Sequence, residues 1–208
     1  MGRLILSRHY QTVHNEWYTR KTQDSKRFTD TEPQDYHSPT VFGARQTAVL
    51  AQYLENIGFD PTNTLCVTST LERSISTGRF VFNAWRAPLI GGENHFSFDT
   101  LNECSSGRNQ MWSWRLEGRR TMKTLLPLMQ YFPEKDIVAI LHGNRNRHLL
   151  EFLDFPLEHF SNCATIELGL DTVRDSLKVL SSYVSYQDMC HFVERGKNDW
   201  EESYSSFT

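Results

Sequence analysis

The sequence predicts an α/β fold, a three-layer α/β/α sandwich with a mainly parallel central sheet. Short apolar runs at 4–6, 65–67 and 137–141 have the length of buried strands. The second and third of these runs are each followed by a stretch with helical apolar spacing, and strands that alternate with helices are typical of parallel sheets covered on both faces. A composition of 38% hydrophobic and 23% charged residues is that of a globular protein.

In the first half of the chain, the pattern begins with a strand at 4–7 that ends in a polar cluster. Residues 16–40 are polar, contain two prolines and show no apolar period, so we predict a long loop insertion there. Apolar residues then recur every three or four positions over 42–57, which indicates an amphipathic helix that Gly58 ends. A strand at 65–67 and a helix at 71–85 follow.

In the second half of the chain, the sequence predicts three more strands and two more helices. We expect the whole chain, residues 1–208, to form a single domain. In order, the segments of the second half are an irregular, aromatic-rich stretch at 89–115, a helix at 116–129, the clearest buried strand at 137–141, a helix that follows it to about 153, strands at 164–168 and 177–180, and an irregular C-terminal tail from about 186.

Charge and composition exclude several classes of function. Lys and Arg number 22 against 25 Asp and Glu, a net charge of −3, so the chain has no global electrostatic reason to bind nucleic acid or an anionic membrane. No apolar run approaches the ~18–20 residues of a membrane span. The first residues of the sequence show no export signal, which favours a cytoplasmic protein. The four cysteines form no CxxC pair, which favours thiols that neither bind metal nor form disulfides. The sequence does not indicate an oligomeric state.

Four side chains with affinity for anions fall where predicted strands end. Arg8 and His9 follow the first strand, Arg73 lies in the helix after the second, and His142 follows the strand at 137–141. Ligands of parallel α/β sheets bind beyond the carboxyl ends of the strands, so we expect these side chains to meet at one edge. Guanidinium groups bind phosphate oxygens through paired donors, and helix N-termini add backbone N–H groups. The sequence therefore predicts a phosphate pocket.

A zinc site is the competing interpretation of the histidines. His9 and His14 are five residues apart and His142 and His148 are six apart, whereas helical pairs of zinc ligands are three or four apart. We therefore predict that the protein uses no metal and no cofactor.

The segment from Leu6 to Asn15, which contains Arg8 and His9, resembles the RHG signature of the histidine phosphatase superfamily, in its phosphoglycerate mutase-like branch. Further similarities follow in the expected order and extend the resemblance over residues 3 to about 181. They are Gly43 with Gln46, Ser69 with Arg73 and Thr77, Leu101-Asn102-Glu103 with Gly107, His142-Gly143 with Arg147, and Asn162 with Ala164.

The resemblance implies a phosphoglycerate mutase-like fold and a role for each matching site residue. His9 resembles the nucleophile that becomes a phosphohistidine, and Glu103 resembles the proton donor. The implied phosphate pocket consists of Arg8, Arg73, His142, Thr12, Asn15 and Gly143.

General chemistry supports these roles. An imidazole attacks phosphorus only when its attacking nitrogen is unprotonated, and we expect positive charge from Arg8 and Arg73 to lower the pKa of His9 toward that state. Glu103 must be protonated to give its proton to a departing alkoxide, and afterwards it can deprotonate the attacking water.

Three departures from the family pattern bear on substrate and reaction. Tyr10 stands where the family has glycine after the nucleophile, and Asn144 stands where a second glycine follows His-Gly. If that first glycine serves close backbone approach or a positive φ, Tyr10 is expected to narrow the pocket or shift the loop. Residues 104–107 read Cys-Ser-Ser-Gly, without the basic residue that follows the acid in the mutases, which favours a hydrolase.

The sequence thus predicts a metal-independent phosphoric monoester hydrolase that acts on a phosphorylated small molecule or a phosphoprotein. Two alternatives stay open. One is a non-catalytic phosphate- or phosphopeptide-binding module, for which Glu103 would be superfluous. The other is a phosphoglycerate mutase-like phosphomutase, which would release little orthophosphate.

Overall fold

The computed structural model describes residues 2–23, 30–103 and 113–194, and within these ranges a six-stranded sheet forms the centre of the molecule. The strands are β1 (Leu4–Arg8), β2 (Thr64–Ser69), β3 (His95–Phe98), β4 (Asp136–Leu141), β5 (Thr165–Asp171) and β6 (Ser176–Val179). Their order across the sheet is β3-β2-β4-β1-β5-β6. The first four in this order run parallel, whereas β5 is antiparallel to β1 and β6 is antiparallel to β5.

The central strands are apolar on both faces because helices cover both. Successive residues of a strand point to opposite sides, so Leu4 and Leu6 of β1 face one core while Ile5 faces the other. In β4, Ile137 and Val138 divide in the same way. This arrangement is why these strands read as continuous apolar runs in the sequence.

Two pairs of helices complete the three predicted layers. On one face lie α2 (Val41–Asn56) and α3 (Glu72–Ala84), which bury residues such as Leu50 and Phe82. On the other face lie α4 (Ser113–Tyr131) and α5 (Gly143–Phe152), which bury residues such as Leu125 and Leu149. The predicted α/β/α sandwich with a mainly parallel sheet is confirmed. No helix in the described ranges is long and apolar enough to cross a membrane.

The predicted loop at 16–40 is in part wrong, because α1 (Val13–Gln23) is a helix. This helix buries no residue and so lacks the apolar period that would have identified it. The His14 ring of this helix instead packs against the Tyr36 ring, with centroids 4.5 Å apart and planes tilted by 36°. Residues 30–40 do follow an irregular path, with a single bridge from Thr12 to Pro39.

Two other predicted irregular segments also contain regular structure. The stretch 89–115 includes β3, a four-residue edge strand whose side chains are only partly buried or exposed and therefore show no clear alternation. The predicted tail is helical over 186–194, which we label α6. Its apolar stripe consists of Met189 and Val193, which are buried one helical turn apart.

Candidate active site

The carboxyl ends of β1, β2 and β4 lie side by side and bring the predicted site residues together. Arg8 pairs with Leu141 at the end of β1 and β4, and the backbone N–H of His9 donates to the Leu141 carbonyl at 3.0 Å. His142 follows β4 directly, and Arg73 lies in the first turn of α3, just after β2. Parallel strands thus align residues that are far apart in sequence.

A hydrogen bond to a carbonyl fixes the tautomer of His9. Its Nδ1 lies 2.7 Å from the backbone oxygen of Tyr10. A carbonyl oxygen only accepts, so Nδ1 carries the proton and Nε2 carries the lone pair. Arg73 Nε donates to that Nε2 at 3.2 Å. His9 therefore presents an unprotonated nitrogen on the side of the Arg73 guanidinium.

Both buried histidines are held in the neutral form. Burial lowers the pKa of His9 well below its ordinary value, and the electrostatic effect of His142 and of the Arg8 and Arg73 guanidinium groups lowers it further. Burial also lowers the pKa of His142, with Arg73 and Arg8 adding to the shift. The cause expected from the sequence, neighbouring guanidinium charge, is thus present but smaller than the effect of burial.

His142 stands beside His9, with ring centroids 5.2 Å apart and planes at 61°. Its Nε2 is hydrogen-bonded to Ser69 Oγ at 2.7 Å, while its Nδ1 lies 3.6 Å from Glu103 Oε2. The imidazole is therefore anchored to the end of β2 on one side and faces the acid on the other.

Glu103 reaches the same group of side chains from the loop that follows β3. Its Oε2 lies 3.9 Å from Arg73 Nη2, and its carboxylate accepts a hydrogen bond from the Asn144 backbone N–H. Partial burial raises the pKa of Glu103 above its ordinary value, although the charges of Arg73 and Arg8 oppose the shift. The side chain remains 31% exposed among the described residues. A raised pKa suits a group that must donate a proton.

Arg8 lies against the first turn of α5. Its Nη1 donates to the Phe160 carbonyl at 2.8 Å, and a Cβ placed on Gly143 would lie 3.2 Å from its guanidinium carbon. Gly143 thus allows the guanidinium to approach the helix backbone closely.

Two buried side-chain nitrogens of the site, Arg8 Nε and His142 Nδ1, make no hydrogen bond with any described residue. Arg8 Nε is a donor, and an unpaired buried donor is costly, so an oxyanion beside Arg8 Nε would satisfy it.

The loop after β1 is held from the opposite wall by Asn162. Its Nδ2 donates to the carbonyls of His9 at 2.8 Å and Tyr10 at 3.1 Å. The next residue, Cys163, adopts a left-handed backbone with φ of 54° and donates its N–H to the Arg8 carbonyl at 3.0 Å. A strained residue at this position is consistent with a tightly specified loop.

Tyr10 does not narrow the pocket. Its side chain is 1% exposed and packs in the core beneath α2 and α3, near the Phe80 ring. Its hydroxyl donates to the His37 carbonyl at 2.7 Å, and its backbone φ is not positive. The glycine position of the family pattern is therefore filled here by a core residue. Asn144 likewise has no positive φ, and the departure at 104–107 lies outside the described residues.

Thr12 and Asn15 cap the start of α1. Thr12 Oγ1 accepts the Asn15 backbone N–H at 3.1 Å, and Asn15 Oδ1 accepts that of Thr12 at 3.3 Å. This reciprocal pattern satisfies two donors that a helix start leaves free. A phosphate contact from either residue stays a prediction.

One ligand atom from each of His9, Glu103 and His142 lies within 4.8 Å of the others, a spacing that a metal ion could bridge. Sequence spacing did not reveal this set because its members come from three separate strand ends. Two guanidinium groups adjoin it, and Arg73 already donates to His9 Nε2. Such positive surroundings repel a divalent cation and favour an anion. Independence of metal stays a prediction.

Sequence reasoning missed Arg145 altogether. This side chain is 5% exposed and donates to the Asn102 carbonyl, directly before the acid. No sequence motif marks a hydrogen bond to a backbone oxygen, so the sequence carries no signal for this role of Arg145.

No family model matches the chain, and no curated protein matches it in sequence. Among solved structures, a phosphoglycerate mutase from Bacillus anthracis is 17% identical, with 94% of this chain and 96% of that one covered and a TM-score of 0.64. A phosphoserine phosphatase from Entamoeba histolytica, in complex with 3-phosphoglyceric acid, is 18% identical, with coverage of 91% and 100% and a TM-score of 0.61.

A mycobacterial glucosyl-3-phosphoglycerate phosphatase, solved with VO3, is also 18% identical, with coverage of 89% and 100% and a TM-score of 0.58. At these identities, likeness over nearly the whole length of both chains establishes shared architecture. The chain therefore has the fold of the phosphoglycerate mutase-like histidine phosphatases.

Proposed function

We propose that the protein is a phosphatase that hydrolyses a phosphate monoester through a phosphohistidine on His9. The observation that carries the proposal is the His9 tautomer: because Nδ1–H donates to the Tyr10 carbonyl, the lone pair that can attack phosphorus lies on Nε2, where it accepts a hydrogen bond from Arg73 Nε. A site that only bound phosphate would need neither that tautomer nor an acid, so this geometry favours catalysis over the binding-module alternative.

In the first half-reaction, a bond forms between His9 Nε2 and phosphorus while the bond from phosphorus to the ester oxygen breaks. Glu103 transfers its proton to the departing alkoxide and becomes a carboxylate. Arg8, Arg73 and His142 surround the position of the equatorial phosphoryl oxygens, where negative charge is spread in the transition state. Arg73 Nε, which now donates to Nε2, turns to a phosphoryl oxygen when substrate binds.

In the second half-reaction, the Glu103 carboxylate takes a proton from water, and the oxygen of that water attacks phosphorus. The bond between phosphorus and Nε2 breaks, which releases orthophosphate and restores neutral His9 and protonated Glu103. Each half-reaction therefore needs the same carboxyl group in the opposite protonation state.

The test is to trap labelled phosphate on the protein. Incubation with a labelled phosphate ester, followed by an alkaline quench that preserves phosphohistidine, should label the wild-type chain and leave His9→Gln unlabelled and inactive. Retention of label and turnover by His9→Gln would overturn the proposal. A chelator should leave the rate unchanged.

Product analysis separates a phosphatase from a phosphomutase, because only a phosphatase releases most of the label as orthophosphate. The substrate screen should begin with phosphorylated carboxylic and amino acids, for which the structural neighbours are named, and should include phosphoproteins.

A further inference from the structure

A second buried cation, Arg145, lies outside the phosphate pocket but close to it. It belongs to the first turn of α5, three residues after His142, and is 5% exposed. Its Nη1 forms an ion pair with the Glu117 carboxylate of α4. A buried guanidinium requires such a partner because an unpaired charge in the interior is costly.

The rest of the guanidinium binds one backbone oxygen. Nε and Nη2 of Arg145 donate to the Asn102 carbonyl at 3.0 and 2.6 Å. That carbonyl belongs to the peptide bond that leads into Glu103. Two donors that converge on one oxygen restrict the position of this carbonyl group.

The same residue is held from the opposite side through its side chain. Asn102 Oδ1 accepts hydrogen bonds from the backbone N–H and the Oγ1 of Thr70, both at 3.0 Å. Thr70 follows β2, whereas Arg145 belongs to α5. Asn102 is therefore fixed between two elements that also carry pocket residues.

We propose that Arg145 is a positioning residue that fixes the peptide before Glu103, so that the carboxyl group faces His142 and the leaving oxygen of the substrate. This inference rests on the proposed function, since it concerns the proton donor of that reaction. Glu117 holds the guanidinium in the orientation that binds the Asn102 carbonyl. Arg145 itself is committed to these two partners and does not bind phosphate.

The inference predicts a selective defect. A substrate with a stable leaving group, such as nitrophenyl phosphate, phosphorylates His9 without needing an acid, whereas an alkyl phosphate requires protonation of the alkoxide. Misplacing Glu103 should therefore slow phosphorylation by the alkyl ester far more than by the nitrophenyl ester.

The experiment compares Arg145→Met with Arg145→Lys and with Arg3→Met as a matched control. Arg3 also bridges backbone carbonyls, those of Ile57 and Gly58, and a carboxylate, that of Asp136, but it lies at the far end of β1. Single-turnover phosphorylation is measured with both esters, and folding is checked by circular dichroism. Arg145→Lys keeps the charge and one donor, so it provides a folded variant if Arg145→Met fails to fold.

We expect Arg145→Met to reduce the rate with the alkyl phosphate by about 10- to 100-fold, part of the factor that general acid catalysis supplies. The nitrophenyl rate should stay close to that of wild type, Arg145→Lys should show a smaller loss with the alkyl ester, and Arg3→Met should show no selectivity. An equal loss with both esters in a folded variant, or no loss with either, would overturn the inference. If the wild-type chain takes no label on His9, the proposed function fails instead.

Discussion

The Nδ1–H of His9 donates to the carbonyl of Tyr10, the next residue in the chain, at 2.7 Å. This local bond determines which ring nitrogen can act as nucleophile, and Asn162 donates to the same carbonyl from the other side of the loop. The residue that replaces the glycine of the family pattern therefore contributes to the site through its backbone, while its side chain belongs to the core.

This division of roles predicts that Tyr10→Phe affects stability and not catalysis. The hydroxyl, whose pKa is raised to about 12 by burial, stays protonated and donates to the His37 carbonyl. Its loss should lower the free energy of unfolding by about 1 kcal/mol, the usual value of one hydrogen bond. Urea denaturation and steady-state kinetics check this. A large change in KM with unchanged stability would show that the Tyr10 hydroxyl contacts substrate.

Gly143→Ala should weaken phosphate binding. The added Cβ would lie 3.2 Å from the guanidinium carbon of Arg8 and would displace a group that is also bonded to the Phe160 carbonyl. We expect the inhibition constant of orthophosphate to rise by about tenfold, equivalent to ~1.4 kcal/mol within the usual range for overpacking.

Gly91→Ala is the matched control for this substitution, because a Cβ there meets no atom within 4 Å and the backbone is not left-handed. Equal phosphate affinity in wild type and Gly143→Ala would mean that Arg8 does not bind the ligand.

Stability should fall as the pH decreases below the ordinary histidine pKa. The pKa of His9 is lowered in the folded state, so in the acidic range the unfolded chain binds more protons and is favoured. One such histidine contributes a slope of at most about 1.4 kcal/mol per pH unit below about pH 6.5.

Denaturation of wild type and His9→Gln between about pH 7.5 and pH 5 measures this contribution. His142 and other histidines with a lowered pKa titrate in both proteins, so the difference in slope isolates His9. A slope that the substitution does not reduce would contradict the neutral, buried state of this ring.

Glu103→Gln should remove proton donation while the shape of the side chain is kept. Phosphorylation of His9 by an alkyl phosphate should slow by about 10²- to 10⁴-fold, whereas the nitrophenyl ester should still label the protein. The labelled species should then persist, because the amide cannot activate water. Since burial raises the pKa of Glu103, wild type should lose its rate with the alkyl ester as the pH rises above that value. A glutamine variant that turns over both esters normally would exclude Glu103 as the acid.

The sequence alone determined the central strands and the four main helices, and it predicted that His9, Arg73 and His142 lie at one edge of the sheet. The strands were predictable because sheets covered on both faces require continuous apolar runs, as in β1 and β4. The meeting of His9, Arg73 and His142 followed from the rule that parallel strands present their carboxyl ends at one edge. Both inferences use only residue type and order, which the chain shows directly.

Tertiary structure decided the rest. The helix α1 has no buried apolar stripe and packs its His14 ring against Tyr36, and β3 is too short and too exposed for its side chains to alternate. The direction of the Tyr10 ring and the bond from Arg145 to the Asn102 carbonyl depend on how separate elements pack. Every residue has a backbone carbonyl oxygen, so residue identity cannot indicate which of these oxygens a distant guanidinium group will bind.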